Sequence, residues 1–168
     1  HSRRGHGFFL PGGKRLVSDR GEEIFSYFEK GNLKPPLAVY FSGYRAQEGF
    51  EGYYMMRSFG CPFLLLTDPR SEGGAFYVGD AAFENMILQE IRKRIEELGF
   101  SEQDVVLSGA SMGTYGSLYY GGHVHPHALL LAKPLTNMGN VLWLFATSML
   151  VLWLCSKDLS VLRLEEVL

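Results

Sequence analysis

The sequence predicts an α/β fold with a mostly parallel sheet, in which short buried strands alternate with helices. Four short, uncharged apolar runs carry this prediction, at 37–41, 62–67, 105–107 and 128–132. Runs of this kind are typical of strands buried on both faces of a parallel sheet. Helical patterns separate consecutive runs, which implies right-handed crossovers. With 168 residues, 46% of them hydrophobic, the chain is long enough for one domain with a proper core.

Residues 1–36 precede the buried runs and are predicted to form a linker and short strands. The first 14 residues are rich in glycine, and two strand-like runs within 15–30 flank a turn at Asp19-Arg20-Gly21. Pro35 and Pro36 then favour an extended chain leading into the first buried strand. The core itself is placed at 37–140.

Two helices are predicted before the third buried strand, at 51–59 and from Asp80 to Gly99. Asp80 suits an N-cap and Gly99 suits the position just after the last turn. Arg92-Lys93-Arg94 is interpreted as a solvated helix end, where cations complement the dipole. Five apolar residues recur at helical spacing and form one stripe: Phe83, Ile87, Ile91, Ile95 and Leu98.

The segment 104–122 has the layout of a nucleophile elbow, with a strand, a sharp G-x-S-x-G turn and a helix of small residues. Ser111 stands at the tip of the turn, in a backbone conformation that is expected to be strained. Gly109 and Gly113 are the elbow glycines, because side chains at these positions would clash. The alternative interpretation is a glycine-rich turn in an ordinary α/β protein. The helix is predicted to close at two glycines, Gly121 and Gly122.

Polar and glycine residues directly follow three of the predicted strands, at Ser42-Gly43-Tyr44, Asp68 and Ser111. We expect them to share one edge of the sheet, since ligand crevices lie beyond the carboxyl ends of parallel strands. With Ser111 as nucleophile, one oxyanion donor is predicted to be the backbone N–H of Met112. The other is predicted from the backbone at Gly43 or Tyr44.

A serine nucleophile needs a base, and on this fold the acid and the histidine follow the serine along the chain. No Asp or Glu occurs between Ser111 and Asp158, and no histidine follows His127. His123, His125 and His127 are interpreted as surface or structural residues at the opposite end of the sheet. This histidine run has no cysteine or acid beside it, so no metal site is predicted.

Other polar residues receive structural interpretations. Asp68 is interpreted as a loop cap rather than as a partner of Arg70 or of substrate. Five tyrosines could stack on sugar rings, but we favour packing at a core edge with the hydroxyl in water; they are Tyr53, Tyr54, Tyr115, Tyr119 and Tyr120.

The charge and the C-terminal stretch limit the function classes. The formal net charge is −2, so the chain does not have the basic surface typical of a nucleic-acid-binding protein.

Residues 141–168 form an atypical hydrophobic tail, of which 141–155 carry no charge. That stretch is short of the roughly 20 residues a membrane span needs. We rank a span below a buried core element and below foreign sequence beyond Asn140, and these two stay open.

Five stretches together resemble a known family: GFFLPGGKR (7–15), GNLKPPLAVYFSGYRAQEGFEGYYMM (31–56), PFLLLTDPRSEGGAFYVG (62–79), LGFSEQDVVLSGASMGTYGSLYYGG (98–122) and AKPLTNMGN (132–140). The combination resembles the α/β-hydrolase-like accessory secretory protein of the accessory Sec system in Gram-positive bacteria. The resemblance implies a three-layer α/β-hydrolase-like fold and places the family's nucleophile at Ser111. It implies O-acetylation of N-acetylglucosamine on a serine-rich-repeat glycoprotein adhesin, and a part in export of that adhesin.

The resemblance also implies a setting for this activity. The family is cytoplasmic and reaches the membrane through the export complex, where it works with sister accessory secretory proteins and a dedicated Sec motor ATPase. The chemistry implies an acetyl donor as co-substrate and no tightly bound cofactor.

The family's acid and histidine do not carry over, because the resemblance ends near Asn140. We therefore interpret the chain as a piece of a longer protein, truncated at its C-terminus and nearly inactive alone. The competing hypothesis is a non-catalytic scaffold, in which the hydrolase fold serves as a binding platform in the export complex.

Overall fold

The computed structural model describes residues 10–43, 49–70 and 76–134, which form a six-stranded sheet with helices on both faces. The strands are β1 (Lys14–Val17), β2 (Glu23–Glu29), β3 (Leu37–Phe41), β4 (Phe63–Thr67), β5 (Val105–Ala110) and β6 (Ala128–Ala132). The helices are α1 (Tyr53–Ser58), α2 (Ala81–Leu98) and α3 (Met112–Val124). Tyr44 and the tail at 141–168 lie outside the described residues.

The sheet has the strand order β1-β2-β4-β3-β5-β6. The four strands β4, β3, β5 and β6 run parallel, and they are the four apolar runs seen in the sequence. Val39 in the central strand pairs with Leu64 on one side and with Leu107 on the other. β1 and β2 form an antiparallel hairpin that continues the sheet beyond β4. The predicted α/β fold with a mostly parallel sheet is confirmed.

Alternation along β3 divides the core into two clusters. Leu37, Val39 and Phe41 face the side covered by α2 and α3. Ala38 and Tyr40 face the other side, where Met56 of α1 packs. All five residues of β3 are buried, as expected for a strand between two helical layers. The architecture therefore has the three layers that the α/β-hydrolase-like fold requires.

Helix α2 has the caps and the apolar stripe that the sequence predicts. The side chain of Asp80 accepts a hydrogen bond of 2.9 Å from the backbone N–H of Phe83, and Gly99 follows the helix with φ of 70°. The interpretation of 92–94 as a solvated helix end is wrong for Arg94, which is buried. Its guanidinium binds the buried Glu90 at 2.6 Å and Glu97 at 2.8 Å. An i,i+4 carboxylate thus makes this burial possible.

The prediction that α3 closes at Gly121 and Gly122 is also wrong. The helix runs on to Val124 and ends at His125, which takes the left-handed conformation with φ of 50°. Gly121 has a packing role instead, because a Cβ built there would lie 3.1 Å from the Leu129 side chain. The small residue lets α3 approach β6 closely. The sequence pattern does not distinguish a glycine with this packing role from a glycine that ends a helix.

The described residues also bear on membrane spans and metal sites. Within the three described ranges, no helix combines the length and the apolar character needed to cross a bilayer. The same ranges contain no group of three or more His, Cys, Asp or Glu side chains placed to bind a metal ion.

Candidate active site

Three strand ends meet at one edge of the sheet. Ser42 and Gly43 follow β3, Asp68 follows β4 and Ser111 follows β5, and β3 lies between the other two strands. Ser42 extends the sheet, because its N–H donates to Leu66 O at 2.9 Å and its hydroxyl lies 2.8 Å from that of Thr67. The expected juxtaposition at the carboxyl ends is therefore present for the described residues.

Ser111 occupies a sharp turn between β5 and α3. Its backbone has φ of 51° and ψ of −118°, a conformation that a residue with a side chain rarely adopts. The turn is held from both sides, since Ser111 N–H donates to Ala132 O of β6 at 3.0 Å. Thr114 donates its N–H at 3.0 Å and its hydroxyl at 2.6 Å to Ser111 O. The geometry is that of a strained, well-anchored elbow.

The two elbow glycines are required by close backbone contacts. A Cβ on Gly113 would lie 1.9 Å from Phe41 O, so α3 rests directly on the end of β3. A Cβ on Gly109 would lie 2.2 Å from Gly113 O and 2.8 Å from Ser117 Oγ. Distances below 3 Å to backbone atoms exclude any side chain. These contacts bring Met112, the first residue of α3, and its N–H to the sheet edge.

The strain at Ser111 predicts a measurable effect on stability. Glycine adopts positive φ without a Cβ clash, whereas alanine keeps the clash and removes only the hydroxyl. We expect Ser111→Gly to be more stable than Ser111→Ala by about 1 kcal/mol. Urea unfolding of the two variants measures the difference, and equal midpoints would show that the elbow stores no strain.

The predicted oxyanion donor Gly43 lies beside the nucleophile. A Cβ built on Gly43 would be 3.1 Å from Ala110 O and 3.8 Å from Ser111 Cβ. Its N–H donates to the Glu51 carboxylate, with 2.6 Å between the nitrogen and Oε2. The roles of Gly43 and Met112 as oxyanion donors stay predictions. Glu51 is a residue that the sequence did not single out, because no local pattern links it to Gly43.

Asp68 organises the neighbouring loop. Its buried carboxylate accepts hydrogen bonds from the backbone N–H of Arg70 at 2.8 Å and from that of Tyr77 at 2.9 Å. It also binds the Arg70 guanidinium, at 3.0 Å to Nε and 2.9 Å to Nη2. Burial alone would lower the pKa of Arg70, but the hydrogen bonds to Asp68 and the charge of its carboxylate raise it. Asp68 is a loop cap, as predicted, and it also binds Arg70, the partnership that the sequence favoured less.

Tyr77 connects this loop to the site. The ring is fully buried, and the hydroxyl donates to Ser42 O at 2.6 Å and approaches Leu66 O at 3.1 Å. Burial raises the pKa of Tyr77 well above its usual value, so the hydroxyl remains a donor. Tyr120 donates in turn to Tyr77 O at 2.7 Å. The prediction that Tyr120 keeps its hydroxyl in water is therefore wrong, because that group is needed inside the core.

The three histidines lie away from the elbow, as predicted. His127 N–H donates to Val105 O at the beginning of β5, so the histidine run is at the amino ends of β5 and β6. His123 and His125 are exposed. Among the described residues, none hydrogen-bonds to the hydroxyl of Ser111. The described part of the chain thus supplies a placed serine and a neighbouring backbone donor.

Comparison with known proteins decides the family. Residues 1–149 match the family model described as the accessory Sec system GspB-transporter. The chain belongs to this family. The accessory Sec resemblance seen in the sequence is thereby confirmed, and the chain is a component of that system.

Two curated relatives are accessory secretory proteins of the same system. The chain is 50% identical over 140 residues to the protein of Staphylococcus aureus, covering 83% of this chain and 27% of that protein. It is 53% identical over 135 residues to the protein of Streptococcus gordonii, covering 80% of this chain and 26% of that protein. The chain thus spans about a quarter of the length of these relatives.

Solved structures agree with the fold. A chain of the Glycosylation Associate Protein (Gap123) complex from Streptococcus agalactiae is 44% identical with a TM-score of 0.74, over 89% of this chain and 28% of that one. The capsule O-acetyltransferase of Neisseria meningitidis serogroup A is 18% identical with a TM-score of 0.52, over 74% and 55% of the two chains. The second likeness shows the α/β-hydrolase-like fold alone.

Proposed function

We propose that this accessory Sec component transfers an acetyl group through Ser111 to N-acetylglucosamine on a serine-rich-repeat glycoprotein adhesin. The observation that carries the proposal is the strained elbow at Ser111 with the Gly43 backbone beside it. In the α/β-hydrolase-like fold this arrangement suits acyl transfer, since it combines a nucleophile at the tip of a sharp turn with backbone donors for an oxyanion. The choice of acetyl group and sugar rests on the family resemblance.

The proposed reaction has two steps. In the first, Ser111 Oγ attacks the acetyl carbonyl of the donor, the serine proton passes to a base, and the donor's leaving group departs with a proton. The N–H groups of Met112 and Gly43 hold the oxyanion of the tetrahedral intermediate. In the second step a sugar hydroxyl attacks the acetyl-serine and gives its proton to the base, and Ser111 Oγ leaves and takes that proton back. We place the acid and the base outside the residues of this chain, which spans about a quarter of the length of its curated relatives.

The proposal includes a cellular setting. The domain works at the cytoplasmic side of the export complex, bound to sister accessory secretory proteins and to the Sec motor ATPase. The resemblance to a chain of the Gap123 complex supports association with the sister proteins. An acetyl donor binds as co-substrate, and no tightly held cofactor is needed.

The test uses the full-length protein with its glycoprotein substrate. We expect Ser111→Ala to reduce acetyl transfer by about 10³-fold or more, because the proposed acyl intermediate forms on Ser111 Oγ. Mass spectrometry of the adhesin glycans measures the acetyl content. Ser108→Ala is the matched control, since Ser108 lies in β5 and its hydroxyl binds Val39 O at 3.1 Å. Equal acetylation by the wild type and by Ser111→Ala would contradict the proposal.

A non-catalytic scaffold is the second candidate. One observation favours it: the Gly43 N–H already donates to the carboxylate of Glu51, so this donor is occupied within the protein itself. For a scaffold, the Ser111→Ala protein would capture its sister subunits as well as the wild type does, while acetyl content would be the same for both. The same variant therefore separates the two candidates.

A further inference from the structure

The carboxylate of Glu51 occupies the Gly43 N–H, which the proposed reaction needs as a free oxyanion donor. Its Oε2 accepts the Gly43 N–H at 2.6 Å, a short, charge-assisted hydrogen bond. From the position of a Cβ on Gly43, Glu51 Oε2 is 3.2 Å away and Ser111 Cβ is 3.8 Å away. A negatively charged oxygen of the protein is thus bound next to the nucleophile, as the oxyanion of an intermediate would be.

A buried tyrosine lies near the same carboxylate. Tyr40 in β3 is buried, and burial, followed by the charge of Glu51, raises its pKa to about 12. Gly52 lets the chain beside Glu51 approach Tyr40, because a Cβ there would lie 3.0 to 3.4 Å from the Tyr40 ring. Glu51 therefore has a second polar neighbour besides the Gly43 N–H.

We propose that Glu51 gates the oxyanion site: it occupies the Gly43 N–H in the resting protein and must release it before an acyl oxygen binds. The inference rests on the proposed function, since it takes Ser111 as nucleophile and Gly43 as oxyanion donor. One N–H cannot serve two negative oxygens. A neutral carbonyl also competes poorly with a carboxylate, because charge-assisted hydrogen bonds are roughly twice as strong as neutral ones.

A merely structural role for Glu51 predicts the opposite effect of removing it. If the carboxylate only shaped the loop around Gly43, its loss would disorder the donor and slow any reaction at Ser111. A gate predicts a faster reaction, because the donor becomes free. The direction of the change in rate therefore decides between the two roles.

The experiment measures how fast a fluorophosphonate probe labels Ser111 in the full-length protein, followed by intact-protein mass spectrometry. The phosphoryl oxygen of this probe needs the oxyanion donors as the bond from Ser111 Oγ to phosphorus forms and fluoride leaves. We expect Glu51→Ala to raise the labelling rate constant about tenfold, and Glu51→Gln about threefold. Glu29→Gln is the matched control with no expected change, because Glu29 accepts from the Tyr27 hydroxyl at 2.9 Å in a similar pair away from Ser111.

The outcomes separate the gate from the proposed function. Labelling of both Glu51 variants at or below the wild-type rate, with unchanged thermal unfolding, overturns the gate, and so does absence of labelling in every protein. If Glu51→Ala does not fold, the isosteric Glu51→Gln decides. Accelerated labelling together with glycan acetylation that does not depend on Ser111 would leave the gate standing and defeat acetyl transfer.

Discussion

Gly113→Ala is expected to lower the free energy of unfolding by about 3 kcal/mol, near the upper end for overpacking a rigid site. The added methyl group would lie 1.9 Å from Phe41 O and 2.7 Å from Phe41 C. Both atoms belong to the backbone of the central strand, which cannot turn aside as a side chain can. Relief requires α3 to move off the sheet, which also displaces the first turn of the helix at the proposed site.

Chemical denaturation of the variant measures this effect. Gly122→Ala is the matched control, because Gly122 lies in the same helix and a Cβ there meets nothing within 4 Å. Alanine is favoured over glycine within a helix, so the control is expected to gain up to about 1 kcal/mol. Similar stabilities for the two variants would contradict the close contact between α3 and β3.

Asp68→Ala is expected to lower the free energy of unfolding by about 3–5 kcal/mol. The substitution leaves the Arg70 guanidinium, whose side chain is 20% exposed, without its bidentate partner. It also leaves the buried N–H of Tyr77, which donates to Asp68 at 2.9 Å, without this acceptor. Since the Tyr77 hydroxyl holds Ser42 O, the loss is expected to reach the loop that carries Gly43.

Urea unfolding tests the stability loss, with Asp19→Ala as the matched control. Asp19 is exposed in the turn between β1 and β2, so the same chemical change there is expected to have little effect. A Ser111 labelling rate that falls along with stability would support the link through Tyr77. An Asp68→Ala protein as stable as the control would show that Arg70 finds an adequate replacement, such as its other partner Glu22.

Much of the fold could be predicted from the sequence because its signals are local. The buried strands are short apolar runs, and β3 and β6 have the bounds that the runs suggested. The caps of α2 are encoded within a few residues of each end. The elbow could be placed for the same reason, since a glycine pattern next to a strand specifies its backbone geometry.

The remaining features depend on contacts between residues far apart in the chain. Tyr77 and Ser42 are 35 positions apart, and no periodicity in the sequence predicts that the Tyr77 hydroxyl donates to the Ser42 carbonyl. Arg94 looked like a solvated cation because its sequence neighbours are charged, but it shares a buried face of α2 with Glu90, which binds Ser26 of β2. Glu51 precedes α1, whose Met56 shares a core cluster with Tyr40, and this packing rather than a local pattern accompanies its contact with Gly43. Such pairings are set by packing and not by local pattern.

The hydrogen bond from Ser111 N–H to Ala132 O adds one more rung to the ladder between β5 and β6. The backbone of the proposed nucleophile is therefore part of the sheet, although its φ and ψ are those of a turn. Moving Ser111 away from its place requires opening the ladder, which in proteins costs more free energy than rearranging a surface loop. The serine is thus held by the sheet as well as by its own turn.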